Sequence, residues 1–372
     1  MSVLRNLGQR TSRGKGPWER RLLLWVVGAV VFAAISITAA YHFDQFTEGD
    51  YFCGQLCHPN RPELAAHEIS PHANVECGIC HIGPGLWPKV EAKIFGVGEL
   101  VSLITNSYHR PLELPVERMR PVEDTCLQCH WSDLSDEDLQ LRVVSVAPDE
   151  ANSLSRTDLR VRINPVQGDS GAHWHVDNPV EYISFDRLGQ DVAWIGYTQD
   201  GALVEYQAEG VNLDAGQLER LPRRQLNCLD CHNRATHIFY NPEQLLDEAL
   251  ARGEIDSSLP FVKRKGAELL LASYPTEEAG VEAMAELRDF YSSEYPSIAS
   301  GQSQAVDEAV SVLQEIYSHT VFPSMNVNWQ SYPNNLGHMD SPGCFRCHDG
   351  EHLDAAGAPI SQNCTVCHSV PV

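Results

Sequence analysis

FCGQLCHPNRPELAAHEISPHANVECGICH, residues 52–81, holds two cysteine pairs, Cys53/Cys57 and Cys77/Cys80, each followed at once by a histidine. Outward from it the arrangement returns at CLQCH (126–130), CLDCH (228–232), CFRCH (344–348) and CTVCH (364–368). The remaining pairs are Cys126/Cys129, Cys228/Cys231, Cys344/Cys347 and Cys364/Cys367, so all 12 cysteines are used. Five pairs read C-x-x-C-H, and the first has one residue more. For 372 residues with 12 Cys and 16 His, composition alone predicts only roughly 0.02 occurrences of C-x-x-C-H, so five are a built feature.

The spacing has a chemical reason. Two thiols add to the two vinyl groups on one porphyrin edge, and the next residue's imidazole then reaches the iron as proximal ligand. Six haem c groups are therefore expected, with His58, His81, His130, His232, His348 and His368 as proximal ligands. A zinc site or a disulfide framework needs no histidine behind every pair. One porphyrin per 62 residues (372/6) leaves little room for conventional layers. The expected fold class is a multihaem cytochrome c, mostly α and irregular, with a haem-packed core.

Leu22–Tyr41 is a run of twenty uncharged, mostly apolar residues, long enough to cross a bilayer as one N-terminal transmembrane helix. A cleaved signal peptide has a shorter apolar core, although small residues near Ala39 and Ala40 fit that reading as well. Residues 1–21 carry Arg5, Arg10, Arg13, Lys15, Arg20 and Arg21 against Glu19. By the positive-inside rule this basic stub is cytoplasmic, and every haem motif lies on the far side of the membrane. The formal net charge is −23, so with +5 in the stub the rest carries −28. That balance excludes nucleic acid as a partner and either steers towards a basic redox protein or a cationic substrate or serves solubility alone.

Organisation follows from these marks: a stub at 1–21, the anchor at 22–41, a three-haem domain at 42–134, a small β-rich insert at 135–215, and a second three-haem domain with scaffold helices at 216–372. Alternation in LRVVSV (141–146), LRVRINP (159–165), VEYISF (180–185) and ALVEYQ (202–207) marks the strands. Helical spacing runs through 242–299 and 304–319, with Ala305, Ala309, Val312 and Ile316 on one face and Phe290, Tyr291 and Tyr317 as packing residues.

Ten histidines remain after the proximal six. An electron-transfer haem commonly has both axial positions filled by side chains. The distal candidates are His72, His109, His237, His338 and His352, with one of His173 and His175 as a further ligand; on a strand those two would share a face and approach one haem edge. His42, His67 and His319 read as ordinary hydrogen-bonded side chains. No motif has lysine in place of the proximal histidine, which argues against a terminal nitrite-type reductase, although an open iron position at the first haem would fit the unusual CGQLCH loop.

The order of one apolar helix, FCGQLCH, SPHANVECGICH, a lysine-bearing segment and TCLQCH over residues 20–131 resembles the NapC/NirT family of membrane-anchored cytochromes. GAHWHV, CLDCHNRATH, LPFVKRKG and the run FPSMNVNWQSYPNNLGHMDSPGCFRCHDGEH look like its long multihaem branch, found in metal-respiring bacteria. The resemblance implies oxidation of membrane quinol, menaquinol in particular, with electrons passed to periplasmic cytochromes or reductases. It implies a distal role for His72 and places lysines near the quinol pocket. The chain departs from the family at its first motif, where many members have C-x-x-C-H with a nearby methionine.

The residues themselves agree. WPKVEAKIFGVGELVSLI (87–104) reads as an amphipathic helix opened by Pro88, with Trp87 at headgroup level. Lys89 and Lys93, four apart, share a face and would meet a quinol oxygen, a haem propionate or lipid phosphate. Glu99, Glu91 and Glu63 are the candidate proton acceptors. A quinol dehydrogenase is thus the first expectation. An electron-carrying subunit of a larger membrane complex, or a homo-oligomer, is the second, and a periplasmic reductase the third.

Overall fold

A computed structural model describes residues 17–130, 138–163 and 171–369. The stub up to residue 16, the junction at 131–137 and the end of the 159–165 stretch lie outside the described residues.

Helix α1 (Pro17–Glu48) contains the apolar run and continues past it, with Thr47 its buried residue. It is long and apolar enough to cross a membrane, and its exposed Leu, Val, Ile and Phe side chains form the kind of continuous apolar surface that lipid covers. The extension past Tyr41 carries Asp44 and Glu48, which α4 uses below.

A π-helical turn at Tyr51–Leu56 follows, then α2 (Arg61–Glu68), α3 (Cys77–His81) and α4 (Leu86–Thr105). Helix α4 is stopped by Asn106 in the left-handed conformation, its N–H returning to Leu103 and Ser102. None of its residues is buried, and Trp87 is 74% exposed.

Strands β1 (Leu139–Val146) and β2 (Leu154–Val161) form an antiparallel hairpin extended by β8 (His368–Ser369), which begins on the sixth motif's histidine. Helix α5 (Trp174–Asp177) leads into a second sheet of order β6-β3-β4-β5-β7, built from β3 (Glu181–Ser184), β4 (Val192–Gln199), β5 (Ala202–Ala208), β6 (Arg224–Gln225) and β7 (His352–Leu353). The strands of 139–208 are therefore completed from near the fourth motif and from the fifth and sixth. Strand β4 has no clean alternation in sequence. A bulge, with Ile183 opposite Trp194 but Ser184 opposite Val192, turns Val192 to the face of Ile195 while Trp194 packs on the other against Ile183 and Leu218.

Helices α6 (Ala215–Arg220) and α7 (Cys228–Cys231) precede a helical module: α8 (Pro242–Arg252), α9 (Val262–Leu271), α10 (Glu277–Ala283), α11 (Glu286–Glu294), α12 (Pro296–Gly301) and α13 (Ser303–Thr320). It owns the largest apolar core, with Leu246, Leu259, Leu287, Tyr291, Leu313 and Tyr317 fully covered. The inward face of α13 is Val306, Ala309, Val310, Leu313, Ile316 and Tyr317, whereas Ala305 and Val312 are only partly buried. The stripe is rotated from the expected one because Tyr317 must lie over Gly280, where any Cβ would run into the ring. Leu313→Ala is expected to cost about 2–5 kcal/mol through lost transfer energy plus the cavity left behind. Denaturant unfolding followed by far-UV circular dichroism measures it.

The module docks on the N-terminal segment. Ala66 of α2 packs with Phe239, Phe322, Met325 and Val327, and Arg61 reaches Glu277 at 3.1 Å.

Candidate haem sites

Each motif is a short helical turn that sets the histidine beside the first cysteine. The N–H groups of His130 and His232 donate to the carbonyls of Cys126 and Cys228 at 2.8 Å, and His348 to Cys344 at 3.1 Å. The turns are capped locally: Asn227 accepts from Leu229, Asn363 from Thr365, and Asp50 from the Cys77 N–H at 2.9 Å. The extra residue of CGQLCH is absorbed by the π turn, with Cys57 N–H bonded to the Phe52 carbonyl at 3.2 Å. At roughly 4.4 residues per turn, four residues of a π-helix end near the bearing that three reach in an α-helix. Both thiols therefore keep one face. None of the 12 cysteines is in a disulfide, and all are partly or fully exposed, as attachment to a porphyrin edge requires.

Five motif histidines face a second imidazole. Ring centroids are 5.9 Å apart for His130/His72, 6.0 Å for His81/His237, 6.5 Å for His232/His173, 5.9 Å for His348/His175 and 6.2 Å for His368/His338. Two imidazoles each about 2.0 Å from one metal put their centroids roughly 6 Å apart, so the pairs fit a six-coordinate iron between them.

Protonation fits as well. Nδ1 of His237, His348 and His175 lies 3.0, 2.8 and 3.1 Å from the carbonyls of Glu63, Ser361 and Ala172. A carbonyl only accepts, so each Nδ1 carries the hydrogen and Nε2 keeps the lone pair a metal needs. Burial holds His81, His175 and His232 below the ordinary imidazole value and takes His237 to about 3, which keeps these rings neutral.

Two candidates stand apart. His352 is buried, with Nδ1 3.0 Å from Asp349 and Nε2 2.9 Å from the Val192 carbonyl. Both nitrogens are turned towards acceptors within the protein, so neither is presented to an iron. His109 is exposed beside Glu113 at 3.8 Å. Of the remainder, His319 Nδ1 donates to the Glu315 carbonyl, and His67 Nδ1 meets Thr236 Oγ1.

The first motif differs. The ring nearest His58 is Tyr108, at 6.2 Å. The two border a cleft of about 230 Å³ with Arg61, Arg110, Glu277 and Met325.

Thiols of successive motifs are electrostatic neighbours. Interaction with Cys77 holds Cys53 below its ordinary value and pushes Cys77 up. Burial raises Cys80, Cys228, Cys231, Cys347 and Cys367, and thiols of an adjacent motif add to it. Cys80 feels Cys126 and Cys129, Cys228 feels Cys126, Cys231 feels Cys344, Cys347 feels Cys231, and Cys367 feels Cys344. The neighbouring thiols in these pairs belong to motifs that follow one another in sequence.

Near the membrane, Lys89 Nζ donates to Asp44 at 2.6 Å and to Glu48 at 2.9 Å, bonds that hold its ammonium above the ordinary value. Lys93 donates to Thr47 and lies 3.7 and 3.9 Å from Asp44 and Glu48. The shared lysine face therefore clamps α4 to the end of α1, a partner that spacing within 87–104 does not reveal. Glu99 is exposed, close enough to raise Cys57 after burial's larger effect. Glu91 pairs with Arg120 at 3.4 Å. Glu63 is pushed up by burial and bonded to Arg234 at 3.0 Å, its backbone holding His237.

No family model and no solved structure matches the chain. Over 361 residues it is 38% identical to the cytochrome c-type protein ImcH of Geobacter sulfurreducens, covering 95% of this chain and 71% of that one. The chain belongs to the NapC/NirT family of membrane-anchored multihaem c-type cytochromes, in its long branch. The cytochrome is also 27% identical to the cytochrome c nitrite reductase subunit NrfH of Nitratidesulfovibrio vulgaris over 116 residues, 31% of this chain and 70% of that one. It is a haem-bearing electron-transport protein whose N-terminal helix is long and apolar enough to cross a membrane.

Proposed function

We propose that the cytochrome is a hexahaem quinol dehydrogenase of the bacterial inner membrane, anchored by α1 with its stub in the cytoplasm, that delivers electrons to basic periplasmic redox proteins. The observation that carries this reading is α4. An apolar, uncovered helix is clamped by Lys89 and Lys93 to the membrane helix, with Glu99 beside the first thiol pair. A helix so placed lies in the headgroup layer, where quinol resides.

The 12 cysteines would attach six haems and the motif histidines hold their irons, with His72 opposite His130, His237 opposite His81, His338 opposite His368, and the 173–175 segment supplying a further ligand. Haem c supplies one-electron acceptance at its iron. The chain's own residues do the rest. Menaquinol gives up two electrons and two protons on becoming quinone; Lys93 orients its oxygen, and the exposed Glu99 takes the first proton, passes it to water and then takes the second. Lys89, tied to two carboxylates at 2.6 and 2.9 Å, holds the helix.

The test is anaerobic mixing of the purified, haem-loaded protein with a menaquinol analogue, read by haem absorbance. The native protein is reduced without another subunit. Lys93→Met, losing a charge-assisted hydrogen bond of about 1.5–3 kcal/mol, slows reduction roughly 10- to 100-fold with dithionite reduction intact. Unchanged rates in Lys93→Met and Glu99→Gln would put the quinol pocket elsewhere, and no reduction of the native protein would make it a carrier subunit of a larger complex.

A further inference from the structure

His173 and His175 do not lie on a strand. His173 caps α5 and His175 sits in its first turn, and residues two apart on a helical turn point about 200° away from one another. Their rings accordingly diverge: His173 faces His232 of the fourth motif at 6.5 Å, and His175 faces His348 of the fifth at 5.9 Å.

Between them Trp174 is the pivot. Its indole stands edge-on to Tyr197 at 5.1 Å and packs among Val180, Tyr182, Val192 and Ile195 of the second sheet. Backbone bonds fix the turn from outside. His173 N–H donates to the Ile163 carbonyl at 2.8 Å and Ala172 N–H to Arg162 at 2.9 Å. Gly171 N–H donates to Val366 at 3.1 Å, inside the sixth motif, whose Cys367 carbonyl accepts from Arg162 N–H at 2.8 Å. One turn thus touches the last three motifs, two through imidazoles and one through backbone.

We infer that the His173-Trp174-His175 turn is a two-ended axial ligand, His173 completing the fourth iron opposite His232 and His175 the fifth opposite His348. The inference rests on the haem c reading of the motifs and deepens it: the C-terminal haems are locked into one register by a segment that carries no cysteine. Without the turn, each iron would lose its sixth ligand while its thioether bonds stayed intact.

The experiment uses the full-length, haem-loaded cytochrome in detergent, air-oxidised and without quinol, so failure of the quinol reading leaves its outcome untouched. Mass spectrometry counts attached haems, and electron paramagnetic resonance counts low-spin irons. His173→Ala and His175→Ala each convert one haem of six to high spin, the double variant converts two, and added imidazole restores the low-spin signal. His173→Met and His175→Met, which keep an axial donor and the local packing, stay low-spin and raise the potential of one haem each. An unchanged low-spin count in either alanine variant, a double variant losing only one haem's signal, or methionine variants with native potentials would overturn the assignment.

Discussion

Replacing both thiols of the fourth motif, Cys228→Ser with Cys231→Ser, is expected to leave a protein whose five remaining haems respond to quinol in two classes. The first three motifs stay in the fast phase, three-fifths of the absorbance change, and the last two lag. The reason is that neighbouring attachment points belong to consecutive motifs. Cys53 neighbours Cys77, Cys80 neighbours Cys126, Cys126 neighbours Cys228, Cys231 neighbours Cys344, and Cys344 neighbours Cys367. Each link joins consecutive motifs, so loss of the fourth opens a gap between the third and the fifth. Electron transfer falls steeply with distance, so that gap slows passage to the last two haems. Stopped-flow reduction at two quinol concentrations measures the amplitudes; a fast phase still containing all five haems would show that the path branches around the fourth motif. Dithionite, which reaches exposed haem edges directly, should reduce all five in the same variant.

The attachment sites were legible because their chemistry is local: two thiols and an imidazole within one turn leave a spacing that sequence displays. Distal partners come from other elements, and spacing carries little about them. His72 precedes the second motif yet faces the histidine of the third, and His237 follows the fourth yet faces that of the second. His352 lies four residues after a proximal histidine, but the β7 pairing turns its ring towards Asp349 and Val192. The 173–175 pair differs from the expectation in its period. A strand would have given both rings one face, and the helical turn gives them two.

The lysines show the same limit from the other side. Their i, i+4 spacing fixed the shared face of α4, while Asp44 and Glu48, which receive that face, belong to a polar extension of α1 that the apolar run does not announce. Strand β4 was hidden because its bulge breaks the alternation by which strands are recognised. On α13 the helical period was readable, but the centre of the buried stripe was set by the fit of Tyr317 over Gly280.

The same kind of close fit decides the second large effect, Gly343→Ala. Gly343 precedes Cys344 at a backbone φ of +50°, and a Cβ there would collide with the Gly337 carbonyl oxygen and stand 3.1 Å from that of Asn335. The Gly337 carbonyl cannot simply withdraw, because it accepts the Cys344 N–H at 2.9 Å. Relief has to come from moving the 335–343 loop, and that loop carries His338, stacked on Phe345 at 4.5 Å and facing His368 at 6.2 Å. Overpacking costs about 1–3 kcal/mol, with about 1–2 kcal/mol more for an L-residue in the left-handed region. Gly357 separates the two contributions, since its φ is +82° and a Cβ there would meet nothing within 4 Å. Gly357→Ala should therefore show the conformational cost alone and a native spectrum. Gly343→Ala should unfold at lower denaturant and, while still folded, show high-spin iron from the sixth haem as its distal imidazole is displaced. Equal losses of stability in the two variants, with no new high-spin iron in either, would mean that the loop yields without disturbing His338.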